Sequence, residues 1–217
     1  MKKRTVVLTV LILMACATAY GYDDGDFQVW HTEVQEKSLN KNTKLTLEEE
    51  FRFGDDASEF YYQHYDVGIA YGVNKNLDLG LNYRQVYEKK NGKFETENRP
   101  HINAILKWEM GDFKFEDRSR LQYRHFDYQS DLWQYRNKFT VKFPWKFSRI
   151  EIQPYISDEI FLDFRNKSFS RNRFYSGLSM NLTKNLKAEI YYLLQSSRGK
   201  SSWSEANVLG TKIKLAF

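Results

Sequence analysis

The chain of 217 residues has one cysteine, three prolines and eleven glycines, and nowhere a run of apolar residues long enough to cross a bilayer as a helix. A helical span takes about 20 consecutive apolar residues, so a polytopic helical membrane protein is excluded. So few prolines and glycines exclude a collagen-like or low-complexity chain. A lone cysteine, Cys16, cannot build a disulfide framework. Charge of one sign is also scarce, with 33 Lys and Arg against 28 Asp and Glu. What is present in excess is aromatic: 5 Trp, 15 Tyr and 16 Phe in a chain whose mean hydropathy is −0.67. That many rings exclude a disordered chain.

The N-terminus reads as a targeting segment. Lys2, Lys3 and Arg4 precede an apolar run from Thr5 to Met14, and Ala17-Thr18-Ala19 supplies small residues for cleavage before Tyr20. Residues 1–19 are therefore expected to be a signal peptide and residues 20–217 a single barrel domain. A second reading of the same segment is open, because Leu13-Met14-Ala15-Cys16 resembles a lipobox in which Cys16 would be lipidated. Cleavage after Ala19 removes three of the 33 bases, leaving 30 against 28 acids and no thiol. Little basicity then remains to attract nucleic acid, and none is expected as a partner.

Beyond the leader the sequence alternates at period two. Leu186, Ala188, Ile190, Tyr192 and Leu194 interleave with Lys187, Glu189, Tyr191, Leu193 and Gln195. The last segment interleaves Leu209, Thr211, Ile213, Leu215 and Phe217 with Gly210, Lys212, Lys214 and Ala216. Similar segments lie near 43–53, 60–73, 77–88, 98–109, 113–126, 132–143, 148–163 and 173–182, with a less regular one near 27–37. Several exceed the usual strand of about 5–6 residues and match the 9–11 that a tilted transmembrane strand needs. The expected fold is all-β: an antiparallel up-and-down transmembrane barrel. The eleven segments conflict with the even strand numbers of single-chain bacterial barrels, so the expectation is ten or twelve strands. Links at 74–76, 111–112, 144–146 and 183–185 read as tight turns of one rim. Those at 54–59, 89–97, 165–170 and 197–202 read as longer loops of the other.

One face of the alternation is apolar and the other carries charge. The expected lumen-lining residues are Glu48, Glu50, Arg52, His64, Asp66, Arg84, Arg99, His101, Glu116, Arg118, Arg120, Arg124, Arg136, Lys138, Glu151, Glu159, Arg173 and Glu189. Their two-residue spacing suits ion-pair ladders between neighbouring strands. Aromatics near strand ends, among them Phe60 to Tyr62, Trp133, Trp145 and Phe147, suit interfacial girdles. Phe217, with Leu215, Ile213 and Leu209 behind it, resembles the terminal signature that outer-membrane assembly machinery reads.

The order of these features resembles a bacterial outer-membrane family known as domain of unknown function, family 2490. The residues that carry the resemblance are Trp30, Glu48, Glu50 and Arg52, then Tyr83-Arg84 and Glu97-Asn98-Arg99-Pro100. It continues through Arg118, Arg120, Arg124, Arg136 to Lys138, Glu159, Arg171-Asn172-Arg173 with Gly177, and Phe217. The resemblance implies one outer-membrane barrel, and with it no established activity or catalytic residue.

No catalytic constellation is legible. There is no Gly-x-Ser-x-Gly elbow, and His31, His64, His101 and His125 have no evident nucleophile in sequence. Paired acids such as Glu48 and Glu50 sit among arginines that favour ion pairing over proton transfer. His64-x-Asp66 offers two ligands on one strand face without a third, so no metal and no cofactor are expected. The arginines, facing inward, favour anions in a narrow pore, or neutralise the acids in a closed one. The expected function is thus a non-enzymatic outer-membrane barrel in contact with lipid and lipopolysaccharide, either a narrow anion-favouring pore or a structural envelope protein. The alternatives are an outer-membrane hydrolase acting on lipid or peptide, and a soluble periplasmic or lipid-anchored barrel that binds an apolar ligand.

Overall fold

The computed structural model describes residues 24–165, 167–199 and 202–217. The expected leader, its cleavage site and Cys16 lie outside the described residues. Eleven strands follow one another around a closed barrel. They are β1 (Asp26–Ser38), β2 (Thr43–Gly54), β3 (Glu59–Gly72), β4 (Leu77–Lys90), β5 (Lys93–Met110), β6 (Phe113–Phe126), β7 (Leu132–Lys142), β8 (Gln153–Asp163), β9 (Ser168–Asn181), β10 (Leu186–Arg198) and β11 (Trp203–Ala216).

The count corrects the expectation of ten or twelve. The irregular segment near 27–37 is a full strand, β1, hydrogen-bonded to β2 on one side and β11 on the other. With an odd number the first and last strands run the same way, so the closing ladder is parallel, from Asp26 opposite Ala206 to Glu36 opposite Ala216. All other pairs are antiparallel neighbours in sequence. Parallel pairing is slightly weaker per residue but leaves no strand edge open.

We call the rim where β1 begins the N rim and the rim where β11 ends the C rim. The expected sorting of short turns and long loops is absent. At the N rim, 55–58 and 91–92 are as short as most C-rim turns, because the strands run on through the expected loops, and 127–131 is only one residue longer. The longest connection, 143–152, is at the C rim. Three C-rim turns share one design: Leu39-Asn40-Lys41-Asn42, Val73-Asn74-Lys75-Asn76 and Leu182-Thr183-Lys184-Asn185. In each, the side-chain oxygen of Asn40, Asn74 or Thr183 accepts backbone N–H groups two and three residues on, at 2.8–3.2 Å. Pro100 sits mid-strand, and the β5–β6 ladder skips it together with Arg99, because proline has no N–H to donate.

The wall has two opposite faces. Outward, aliphatic residues such as Leu81, Ile102 and Ile69 are more than half exposed. Four of the five tryptophans also lie on the outer surface, Trp133 and Trp203 near the N rim and Trp108 and Trp145 near the C rim. Asp117 and Asp158 interrupt this wall, each accepting a hydrogen bond from an asparagine, Asn137 at 2.8 Å and Asn172 at 3.0 Å. Inward, charged and polar side chains are buried together with a cluster formed by Trp30, Tyr155, Tyr175, Tyr191, Leu193 and Val208.

Candidate functional site

The lumen has two tiers. Toward the N rim it is filled. Glu159 on β8 is the hub: Arg136 and Arg118 donate to it at 2.8 and 3.0 Å, and the Tyr175 hydroxyl donates at 3.1 Å. Arg173 completes the group at 3.9 Å. Its guanidinium also lies 4.8 Å from the Trp30 ring and 5.0 Å from that of Phe161, which joins β9 to β1 and β8 through the interior. A second carboxylate, Glu97, takes two nitrogens from Arg99 at 2.6 and 2.7 Å and two from Arg124 at 2.7 and 2.8 Å. Arg52 pairs with Glu50 at 2.5–2.7 Å while its guanidinium stacks 3.7 Å from Trp30 and 4.0 Å from Tyr62. Buried charges like these are tolerable because they are paired and hydrogen-bonded. The space left in this tier is a cavity of about 160 Å³.

Toward the C rim the lumen opens into a vestibule of about 740 Å³. Its lining is small on one side, where β3 and β4 turn Ala70, Gly72 and Gly80 inward, and charged elsewhere, where Lys44 and Lys214 pair with Glu36, Lys107 with Asp78 and Lys212 with Glu48. Glu48, Arg84, Arg118, Arg120 and Lys212 border both spaces and form the vestibule floor. There Arg84 is held by Asp66 and Glu48, both at 2.8 Å. His64 stands between Glu48 and the Tyr62 hydroxyl, each at 3.2 Å.

Seventeen of the eighteen expected lining residues turn into the lumen, in the strands whose alternation placed them there. Glu151 does not. It lies in the 143–152 connection with φ +50°, paired with Lys146 at 2.9 Å, because left-handed backbone at Ser148 and Glu151 ends the alternation that was expected from 148 onward. Leu209, Ile213 and Leu215 face outward on β11, and Phe217 stands exposed at the C rim, where its N–H donates to Glu36. The expected aromatic girdle includes Trp133 and Trp145, whereas Tyr62 turns inward and is buried. Trp30, Tyr155, Phe161, Tyr175, Tyr191 and Arg171 line the lumen without having been singled out for it. Trp30 was legible in principle, since it shares parity with Gln28 and Thr32.

Chemically, the lumen is dominated by ion pairs. His64 and Asp66 have other partners, and no group of three or more metal-capable side chains occurs among the described residues. Two hydroxyl–imidazole–carboxylate lines occur among the described residues: Tyr62, His64 and Glu48 in the lumen, and one on the outer wall, where His31 meets Thr211 at 2.8 Å and Glu33 at 3.1 Å. Thr211 sits inside the ladders with β1 and β10, where backbone N–H groups are committed to strand pairing and cannot form an oxyanion hole. The outer line satisfies three polar groups on an apolar surface. No curated protein and no solved structure matches this chain. A family described as proteins of unknown function (DUF2490) matches it over residues 27–206, from β1 into β11, and the chain belongs to that family.

Proposed function

We propose that the chain is an integral outer-membrane barrel of Gram-negative type, without catalysis, whose lumen is sealed in its N-rim tier. It serves the envelope as a structural or solute-binding barrel. The observation that carries this reading is inverted polarity. His64, Glu97, Glu159 and Arg173 are 1–5% exposed inside, while Leu81, Ile102 and Ile69 are 51–65% exposed outside. A barrel dissolved in water would bury the second group and expose the first. Hydrocarbon satisfies the outer wall, and tryptophans at both rims suit the two membrane interfaces. The partners in this reading are outer-membrane lipid and lipopolysaccharide along the wall, and the assembly machinery at Leu209, Ile213, Leu215 and Phe217. Fractionation tests it: recovery in the outer membrane, with a mobility shift between unboiled and boiled samples, is expected. Recovery in the soluble periplasm overturns it.

A second reading, a narrow anion-favouring pore, is supported by the charge balance of the filled tier, which eleven Arg and Lys and five Glu line. Planar-bilayer recordings separate the two. The sealed reading expects no unitary conductance from heat-modifiable protein.

A further inference from the structure

Most inward arginines have a carboxylate; among the described residues Arg171, whose Nε donates to Ser197, has none within ion-pair distance, and neither has Arg120. Its Nε donates to Asn103 Oδ1 at 2.7 Å, and no Asp or Glu lies within ion-pair distance of it among the described residues. The residue is 7% exposed and borders both the vestibule and the filled tier. The nearby carboxylates are paired with other groups. Asp66 and Glu48 are occupied by Arg84, and Glu159 is shared by Arg118 and Arg136. The Nε of Arg136 and the Nε2 of His101, close by, are buried without a hydrogen-bond partner. A buried guanidinium surrounded by cations is costly unless an anion joins it. The planar fork of arginine matches oxyanions, two bonds at a time.

We propose that the vestibule floor is an oxyanion-binding site centred on Arg120, which takes a small solute carrying a phosphate group. Arg118 and Arg84 stand beside the anion, and Lys212 and Lys214 line the approach to it. The 740 Å³ of the vestibule falls within the range of small-molecule sites, about 300–1,000 Å³, and leaves room for a sugar-sized remainder above the phosphate. Ala70, Gly72 and Gly80 provide that room. This site rests on the sealed-lumen reading, because an anion is retained at the floor only where it cannot pass through.

The test is calorimetric titration of the folded, full-length protein in detergent micelles with inorganic phosphate, with a hexose phosphate and with the uncharged hexose. Saturable binding of the two phosphates and none of the hexose is expected, weakening as salt is raised. Arg120→Gln should lower affinity at least tenfold. Lys187→Gln, an inward cation outside the vestibule, should leave it unchanged. If R120Q fails the heat-modifiability check, Arg120→Lys keeps the charge and loses the fork, and a clear loss of affinity is still expected. Binding of inorganic phosphate alone would assign the site to the free ion rather than to its ester. No saturable binding of any phosphate at millimolar concentration, or unchanged affinity in the folded Arg120 variant, overturns the inference. Conductance with no saturable binding overturns the sealed reading with it, whereas silence in both assays overturns the site alone.

Discussion

The two tiers of the lumen are built on the same strands with the same alternation, yet one is full and the other open. The difference lies in what faces the glycines. On β9 and β11, Gly177 and Gly210 flank Tyr191, whose side chain occupies the room of both: a Cβ at Gly210 would meet its Cζ at 2.0 Å and one at Gly177 its Cβ at 2.8 Å. On β3, nothing comes nearer than 3.4 Å to a Cβ at Gly72. Small residues therefore make space only where no neighbouring side chain takes it, as Tyr191 does at Gly210 and Asn82 at Gly68. Charge follows the same division. In the filled tier Glu159 and Glu97 each serve several guanidiniums, while Glu116 at the vestibule makes no hydrogen bond or close ion pair among the described residues.

Removing one carboxylate from each tier gives the largest contrast. Glu159→Gln leaves Arg118, Arg136 and Arg173 buried without their shared counter-charge, and breaking such a group costs about 3–5 kcal/mol. Glu116→Gln should change stability by less than about 0.5 kcal/mol, as substitutions outside tight networks do. Denaturant unfolding of both variants in micelles measures the gap. Equal midpoints would mean that the two tiers are not energetically distinct.

Adding a methyl group to each tier gives a smaller contrast. Gly210→Ala drives a Cβ into the buried Tyr191 ring, which is held between β9 and β11, and overpacking of this kind costs about 1–3 kcal/mol. Gly72→Ala meets only ordinary contacts and should fall within about 0.5 kcal/mol of the parent. If Gly72→Ala destabilised as much as Gly210→Ala, the vestibule wall would be packed after all.

Much of this division could not be read along the chain. Period-two alternation needs only local residues, so the strands and most inward charges were legible, down to Arg173 and Glu189. The strand number was not, because the even-number rule presumes antiparallel closure, and whether β1 meets β11 in parallel depends on residues about 180 positions apart. The same distance hid the contact of His31 with Thr211. Arg118 and Arg120 look alike in sequence, and only the register across β7 to β8 gives Glu159 to the first and nothing to the second. Aromatic residues were the least legible. A tyrosine suits a lipid interface and a filled lumen equally well, and only parity with polar neighbours distinguishes Tyr62 from Trp133.

The smallest effect lies beyond both tiers, in the 127–131 connection at the N rim. Asp131 accepts the Tyr123 hydroxyl at 2.6 Å, His125 Nδ1 at 2.8 Å and the Phe126 N–H at 3.1 Å. The Tyr123 hydroxyl foremost, then His125 and the Phe126 N–H, hold its carboxyl down at about 2. An unfolded aspartate titrates near 3.9, so the folded value is depressed. The stabilising contribution is therefore complete above about pH 4 and is lost as pH falls through about 2. The carboxyl carbon chemical shift of Asp131 should titrate with a midpoint near 2, and Asp131→Asn should remove the acid-dependent loosening of this connection. At the C rim the Glu151 carboxyl is likewise lowered, by Lys146 first and then Asn181, so both rims should loosen in acid independently of the lumen. An Asp131 midpoint near 4 would mean that the Tyr123 and His125 contacts do not persist in solution.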